Sequence, residues 1–247
     1  MSFIRRLQAL FEDQGDKYLN TKIWHQDGSL HQDIGHSLLK TAYDFIDKHK
    51  LPDASIVDIV ITGSLAGFNW TEYSDIDLHI IIDYTKIPAQ PELAKSYFDT
   101  AKTLWNKQHA IEMCDFEVEI YVQDQKEPHQ SPGIYSLLDG QWLKPPSKDD
   151  LGPPPAPNQI NRKADKITQR INAVEDLMKS GDAIAASQYA DELKTYLAKM
   201  RTAGLNSSGE MSLENQVFKH LRNQGELERL ATLKTQAYDT SLSVKKC

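Results

Sequence analysis

The stretch ITGSLAGFNWTEYSDIDLHIII, residues 61–82, sets two aspartates one residue apart inside an apolar run. Ile76, Leu78, Ile80 and Ile82 alternate with Asp75, Asp77 and His79. A period of two is a β-strand with one face buried and the other polar, so this segment requires a sheet covered on one side. On such a strand Asp75 and Asp77 project together. Two carboxylates held that close repel unless a proton or a cation stands between them. A hard divalent cation such as Mg²⁺, which takes oxygen ligands, is the natural partner.

The neighbouring segments build the frame. SIVDIVIT, residues 55–62, is rich in β-branched residues and reads as a strand. Gly63 breaks it, and Ser64 to about Trp70 reads as a short helix or turn. Glycine lets the backbone approach a ligand closely, a helix start offers free N–H groups to phosphate, and the Ser64 hydroxyl adds a donor. Helices are expected over residues 31–49 and 91–109, the second with proline in its first turn. Residues 115–123, DFEVEIYVQ, alternate strictly and read as a third strand with Asp115, Glu117 and Glu119 in phase. Any of the three can complete a three-carboxylate cluster, depending on register. Two Mg²⁺ ions in such a cluster can activate a hydroxyl and stabilise leaving pyrophosphate. Residues 134–144 read as a hairpin turning at Asp139-Gly140.

LKPPSKDDLGPPPAPNQ, residues 143–159, holds six prolines and reads as an extended linker. It predicts two domains, 1–150 and 158–247. Beyond it every pattern is helical: residues 159–180, then 182–203 with Asp182 as cap and Gly204 as stop, then a helix capped by Ser212 and ending near Gly225, then 226–239. Residues 1–154 carry 14 Lys/Arg against 24 Asp/Glu, and residues 155–247 carry 14 against 11, so the halves are −10 and +3. An acidic chain is a poor general binder of nucleic acid. Arg162, Lys166 and Arg170 recur every four residues and read as a solvated helical face. Cys114 and Cys247 are the only cysteines, which excludes a disulfide framework and predicts a reducing, cytoplasmic setting. No apolar run approaches the roughly 20 residues of a membrane helix. The opening MSFIRRLQALFEDQGDKY has no apolar stretch of signal-peptide type and reads as a short amphipathic helix.

An apolar strand, Gly63-Ser64, a spacer of ten residues, then Asp75-Ile76-Asp77 resembles the DNA polymerase beta-like nucleotidyltransferase superfamily. The resemblance covers residues 55–123, and by overall look the chain is similar to small standalone members such as those of phages. It implies an α+β fold: a nucleotidyltransferase-type mixed β-sheet with flanking helices, here followed by a C-terminal α-helical bundle. It places the third carboxylate at Glu119 in FEVEIYV, a Glu where the family more often has Asp, with Glu117 and Asp115 as alternatives. The implied reaction is attack of an acceptor hydroxyl on the α-phosphate of a nucleoside triphosphate, with release of pyrophosphate. Asp75, Asp77 and Glu119 would hold two Mg²⁺ ions and act in catalysis, while Gly63 and Ser64 hold the β- and γ-phosphates. The acceptor is left open among a small molecule, a protein hydroxyl, RNA and a second nucleotide. A catalytically silent nucleotide-binding or protein-interaction module on the same fold is the alternative. Elsewhere Asp58 reads as an edge or surface residue, His79 as a satisfied wall of the cleft, and Trp70 and Tyr73 as packing for the spacer.

Overall fold

The computed structural model describes residues 18–128, 131–147 and 152–243. The N-terminal amphipathic pattern, His129 and Cys247 lie outside them. The chain divides into two compact units, Met1–Asp150 and Leu151–Cys247.

The first unit contains strands β1 (Ile56–Thr62), β2 (Ile76–Ile82), β3 (Glu112–Met113), β4 (Phe116–Asp124), β5 (Ile134–Ser136) and β6 (Gln141–Lys144). Helix α1 (Gln32–His49) precedes β1, and α2 (Pro91–Gln108) joins β2 to β3. The sheet order is β3-β4-β2-β1-β5-β6. Among the described residues only β2 and β4 run parallel, and α2 supplies the crossover that a parallel pair needs. The alternation read from the sequence decides which face is covered. Ile76, Leu78, Ile80 and Ile82 are each 0% exposed, and they join Val118 and Ile120 of β4 in one apolar cluster. Leu38 and Phe45 of α1 and Phe98 and Trp105 of α2 close that cluster. Burying each large aliphatic side chain contributes roughly 1.5–3 kcal/mol. The opposite face carries Asp77, His79, Glu119, Tyr121 and Gln123, because their neighbours are committed to the core.

Two details of the sheet differ from expectation. Asp58 is not at an edge, since β1 is hydrogen-bonded on both sides, to β2 and to β5. Its carboxylate accepts from the Ser136 hydroxyl at 2.9 Å and from its neighbour Ile59 N–H at 2.7 Å, beside a bulge in β1. Burial pushes the Asp58 carboxyl up, against the pull of those bonds. Asp115 does not belong to the third strand. It sits in a left-handed turn with Cys114, φ 72° and 53°, and pairs with Lys22 at 2.5 Å.

The second unit is helical: α3 (Pro157–Lys179), α4 (Ala183–Ser208), α5 (Leu213–Asn223) and α6 (Glu226–Leu242). Its core draws Ile167 and Ile171 from α3, Leu193 and Leu197 from α4, Val217 and Leu221 from α5, and Leu230 from α6. Asp182 and Ser212 act as the expected N-caps, accepting from Ala185 N–H and Asn215 N–H. Gly204 does not stop α4, which continues to Ser208. A Cβ there would stand 2.5 Å from Glu214 Cβ and 2.7 Å from Ser212 Oγ, so the glycine is a crossing point for the start of α5. The last helix likewise outruns its expected end at 239, reaching Leu242. Among the described residues no helix is long and apolar enough to cross a membrane.

Candidate metal centre

Asp77 lies inside β2, and Asp75 is the last residue of the loop before it. Parallel pairing sets Asp77 directly beside Glu119 of β4. One oxygen from each of Asp75, Asp77 and Glu119 can be chosen so that all lie within 4.8 Å of one another, and each residue is half-buried. The structure therefore brings Glu119 to the aspartates. Glu117 pairs with Glu112 across the short β3 strand and is exposed, and Asp115 is held by Lys22.

Gly63 explains how Asp77 fits. Its φ is +76°, and a Cβ built there would stand 1.7 Å from Asp77 Oδ2. The carboxylate occupies the space any side chain would take, so the glycine is required on two counts. The Gly63 N–H is already engaged, donating to Ser131 Oγ at 2.9 Å. Ser131 in turn donates to Gly133 O at 2.6 Å, and its carbonyl accepts from Lys144 at 2.8 Å. What Gly63 contributes is clearance. Ser64 brings a hydroxyl to the turn, and it shares a 2.8 Å bond with the Ser74 hydroxyl. Ser74 also accepts from Thr71 N–H at 2.9 Å, which closes the spacer loop and fixes the approach to Asp75.

The turn after Gly63 is clamped from outside the motif. Trp24 is buried, and its indole donates to Leu65 O at 2.7 Å. Its ring stacks on Trp142 at 4.6 Å, and Trp142 donates to Gly28 O at 2.8 Å. Trp24, Ser131 and Trp142 are the site-supporting residues that sequence reasoning did not single out. Nothing local in IWHQDG or QSPG marks them, because their partners are 41 and 68 residues away for Trp24 and Ser131. In the spacer, Trp70 packs against the core and donates to Tyr18 O at 2.9 Å, whereas Tyr73 is exposed.

On the same sheet face, Tyr121 donates its hydroxyl to Glu119 Oε2 at 2.5 Å. Burial first, then that bond and the charges of Glu119, Asp77 and Asp75, push the Tyr121 hydroxyl up, so it keeps its proton and serves as a donor. His79 stacks on Tyr121 at 4.8 Å and bonds through Nδ1 to Gln123 Oε1 at 2.7 Å, a satisfied histidine in the wall of the site.

The donor set fits a hard cation. Every candidate ligand atom is a carboxylate oxygen, the type Mg²⁺ and Ca²⁺ prefer, and the three residues could hold a metal ion. The space that Gly63 clears keeps Asp77 aimed into the cluster rather than into a side chain. Carboxylates this close are stabilised by a cation and destabilised without one.

No protein-family model matches the chain, and no curated protein does. Among solved structures the chain is weakly similar to a STING-associated CdnE c-di-GMP synthase from Capnocytophaga granulosa. The superposition covers 96% of this chain and 94% of that one, at 12% identity and a TM-score of 0.22.

Proposed function

We propose that the protein is a Mg²⁺-dependent nucleotidyltransferase that moves a nucleoside monophosphate from a nucleoside triphosphate to an acceptor hydroxyl. The observation that carries the reading is the meeting of Asp75, Asp77 and Glu119 on one face of the parallel β2–β4 pair, with Gly63 cleared for Asp77. Residues 1–150 form the catalytic domain in this reading and residues 158–247 an appended helical domain. The cysteine-poor composition supports a cytoplasmic setting.

Bound Mg²⁺, as two ions, would supply charge neutralisation at the triphosphate and at the attacking oxygen. Asp75 and Asp77 would hold the ions, and Glu119 would complete the set of ligands. The acceptor oxygen forms a bond to the α-phosphorus, the bond from that phosphorus to the bridging oxygen breaks, and pyrophosphate leaves. In this reading Glu119 helps to take the hydroxyl proton. In this reading Ser64 donates to the β- and γ-phosphates, at a turn whose positive φ Gly63 allows. In-line positioning by these fixed groups is the source of the rate enhancement, as expected for phosphoryl chemistry.

The test is incubation of the protein with each α-radiolabelled nucleoside triphosphate, Mg²⁺ and acceptors of the four classes. Label transfer with matching pyrophosphate release is expected. Asp75→Ala combined with Asp77→Ala abolishes transfer and raises the thermal midpoint of the metal-free protein by relieving repulsion. Unchanged turnover in that variant excludes the site. Nucleotide binding with no pyrophosphate release from the wild-type protein assigns the silent binding module instead.

A further inference from the structure

Helix α3 carries Arg162, Lys163, Lys166 and Arg170 within nine residues. They line an open cleft of about 520 Å³ against α4, together with Tyr196, and no carboxylate is among the lining residues. Like charges four apart on a helix destabilise it by about 0.2–0.5 kcal/mol per pair, and this helix has two such pairs, Arg162–Lys166 and Lys166–Arg170. Of the acids of α3, Glu175 pairs with Lys179 at 2.6 Å, away from these cations.

The cleft is ordered rather than a loose fringe of cations. Lys163 is fixed to Glu214 at 2.6 Å. Arg170 donates through Nε to the Tyr189 hydroxyl at 3.2 Å, and its guanidinium lies 4.7 Å over the Tyr196 ring. That leaves its two terminal nitrogens for a ligand. Arg162 and Lys166 are exposed and have no ion pair among the described residues. The row from Arg162 to Arg170 is about 12 Å long at 1.5 Å per residue, longer than the triphosphate of one nucleotide. A cationic groove beside a half-exposed aromatic ring is the pattern that tracks a single-stranded phosphodiester chain and stacks a base.

We propose that this cleft binds a single-stranded polynucleotide, with phosphates on Arg162, Lys166 and Arg170 and a base against Tyr196. The acidic charge of residues 1–154 confines the contact to the helical unit.

Fluorescence anisotropy of the full chain with a labelled oligonucleotide of roughly 12 nucleotides tests it, within ordinary single-strand site sizes. The assay contains a chelator and no nucleoside triphosphate, and salt is varied between about 50 and 200 mM. Three phosphate contacts predict a log–log salt slope of about −2, and Arg162→Ala with Lys166→Ala flattens it by about 1.4 and weakens binding about tenfold. The thermal midpoint does not fall, since both side chains are exposed and their removal relieves both like-charge pairs. Tighter binding of RNA than of DNA assigns a 2′-hydroxyl contact, and equal binding assigns the shared phosphodiester chain. Absence of binding at the lowest salt, or a double variant that binds like wild type, overturns the proposal. Displacement by ATP or tripolyphosphate at matched phosphate concentration also overturns it, in favour of a free nucleotide. No metal or triphosphate is present, so failure here is distinguishable from failure of nucleotidyl transfer, which is read by pyrophosphate release.

Discussion

Glu119 has two oxygens, and Tyr121 takes one of them. A carboxylate so engaged offers its other oxygen singly, which suits the octahedral demands of Mg²⁺, whereas Ca²⁺ tolerates bidentate ligands. Partners that orient ligands typically matter 10–100-fold in affinity. Tyr121→Phe is therefore expected to weaken Mg²⁺ binding about tenfold or more and to shift preference toward Ca²⁺, read by calorimetric titration of the metal-free protein with each ion. An unchanged ratio of the two affinities would show that the hydroxyl does not govern how Glu119 binds. Alternation alone paired Asp75 with Asp77 and put three acids in phase on the next strand. It could not choose among Asp115, Glu117 and Glu119, because the choice is made by the height of β4 against β2. That register is a contact between residues 42 positions apart, Asp77 and Glu119, and no local pattern encodes it. The Tyr121 bond is legible only after the register is known.

At the scale of elements, local rules failed where a second element intruded. Gly204 has the look of a helix stop, yet α4 passes through it because Ser212 and Glu214 occupy the space beside it. Alanine is a better helix former than glycine by about 1 kcal/mol. Overpacking typically costs about 1–3 kcal/mol. Gly204→Ala should therefore lower stability on balance, despite the propensity gain, and urea denaturation followed by far-UV circular dichroism reads the sign. Asn106 is a second such case. Its side-chain amide donates to Ile120 O and accepts from Ile120 N–H, both at 3.0 Å, past the end of short β3. A helix residue thus stands in for a strand and covers backbone groups that an edge would leave open. Arg170 is a third, since the solvated face expected of it is instead a clamp on Tyr189 and Tyr196.

At the scale of the molecule, the two units carry different charge, and one group of the helical unit responds to acid. In the helical unit, burial pushes the Glu210 carboxyl up, but Lys219 at 2.8 Å, the charge of Arg201 and a bond from Asn215 outweigh it and hold it below its ordinary value of 4.5. A carboxyl lowered on folding contributes stability that is present above the unfolded value and is lost as pH falls through the folded one. Acid should therefore loosen this unit below about pH 4.5. Glu210→Gln should lower the thermal midpoint at neutral pH, by a loss of about 1–3 kcal/mol, and flatten its fall in acid. A variant with the wild-type pH profile would remove Glu210 from that role. The mixed sheet and the helical bundle were legible from period and proline content, whereas sheet order was not, because strands distant in sequence set it. The same distance has a consequence in time. Gly63 is seated by Ser131, 68 residues later in the chain. At about 5–20 residues per second of synthesis, that partner emerges some 3–14 seconds after the turn it holds. During that interval the Gly63 turn lacks its partner, and a product cut short before Ser131 carries the motif without the bond that holds that turn.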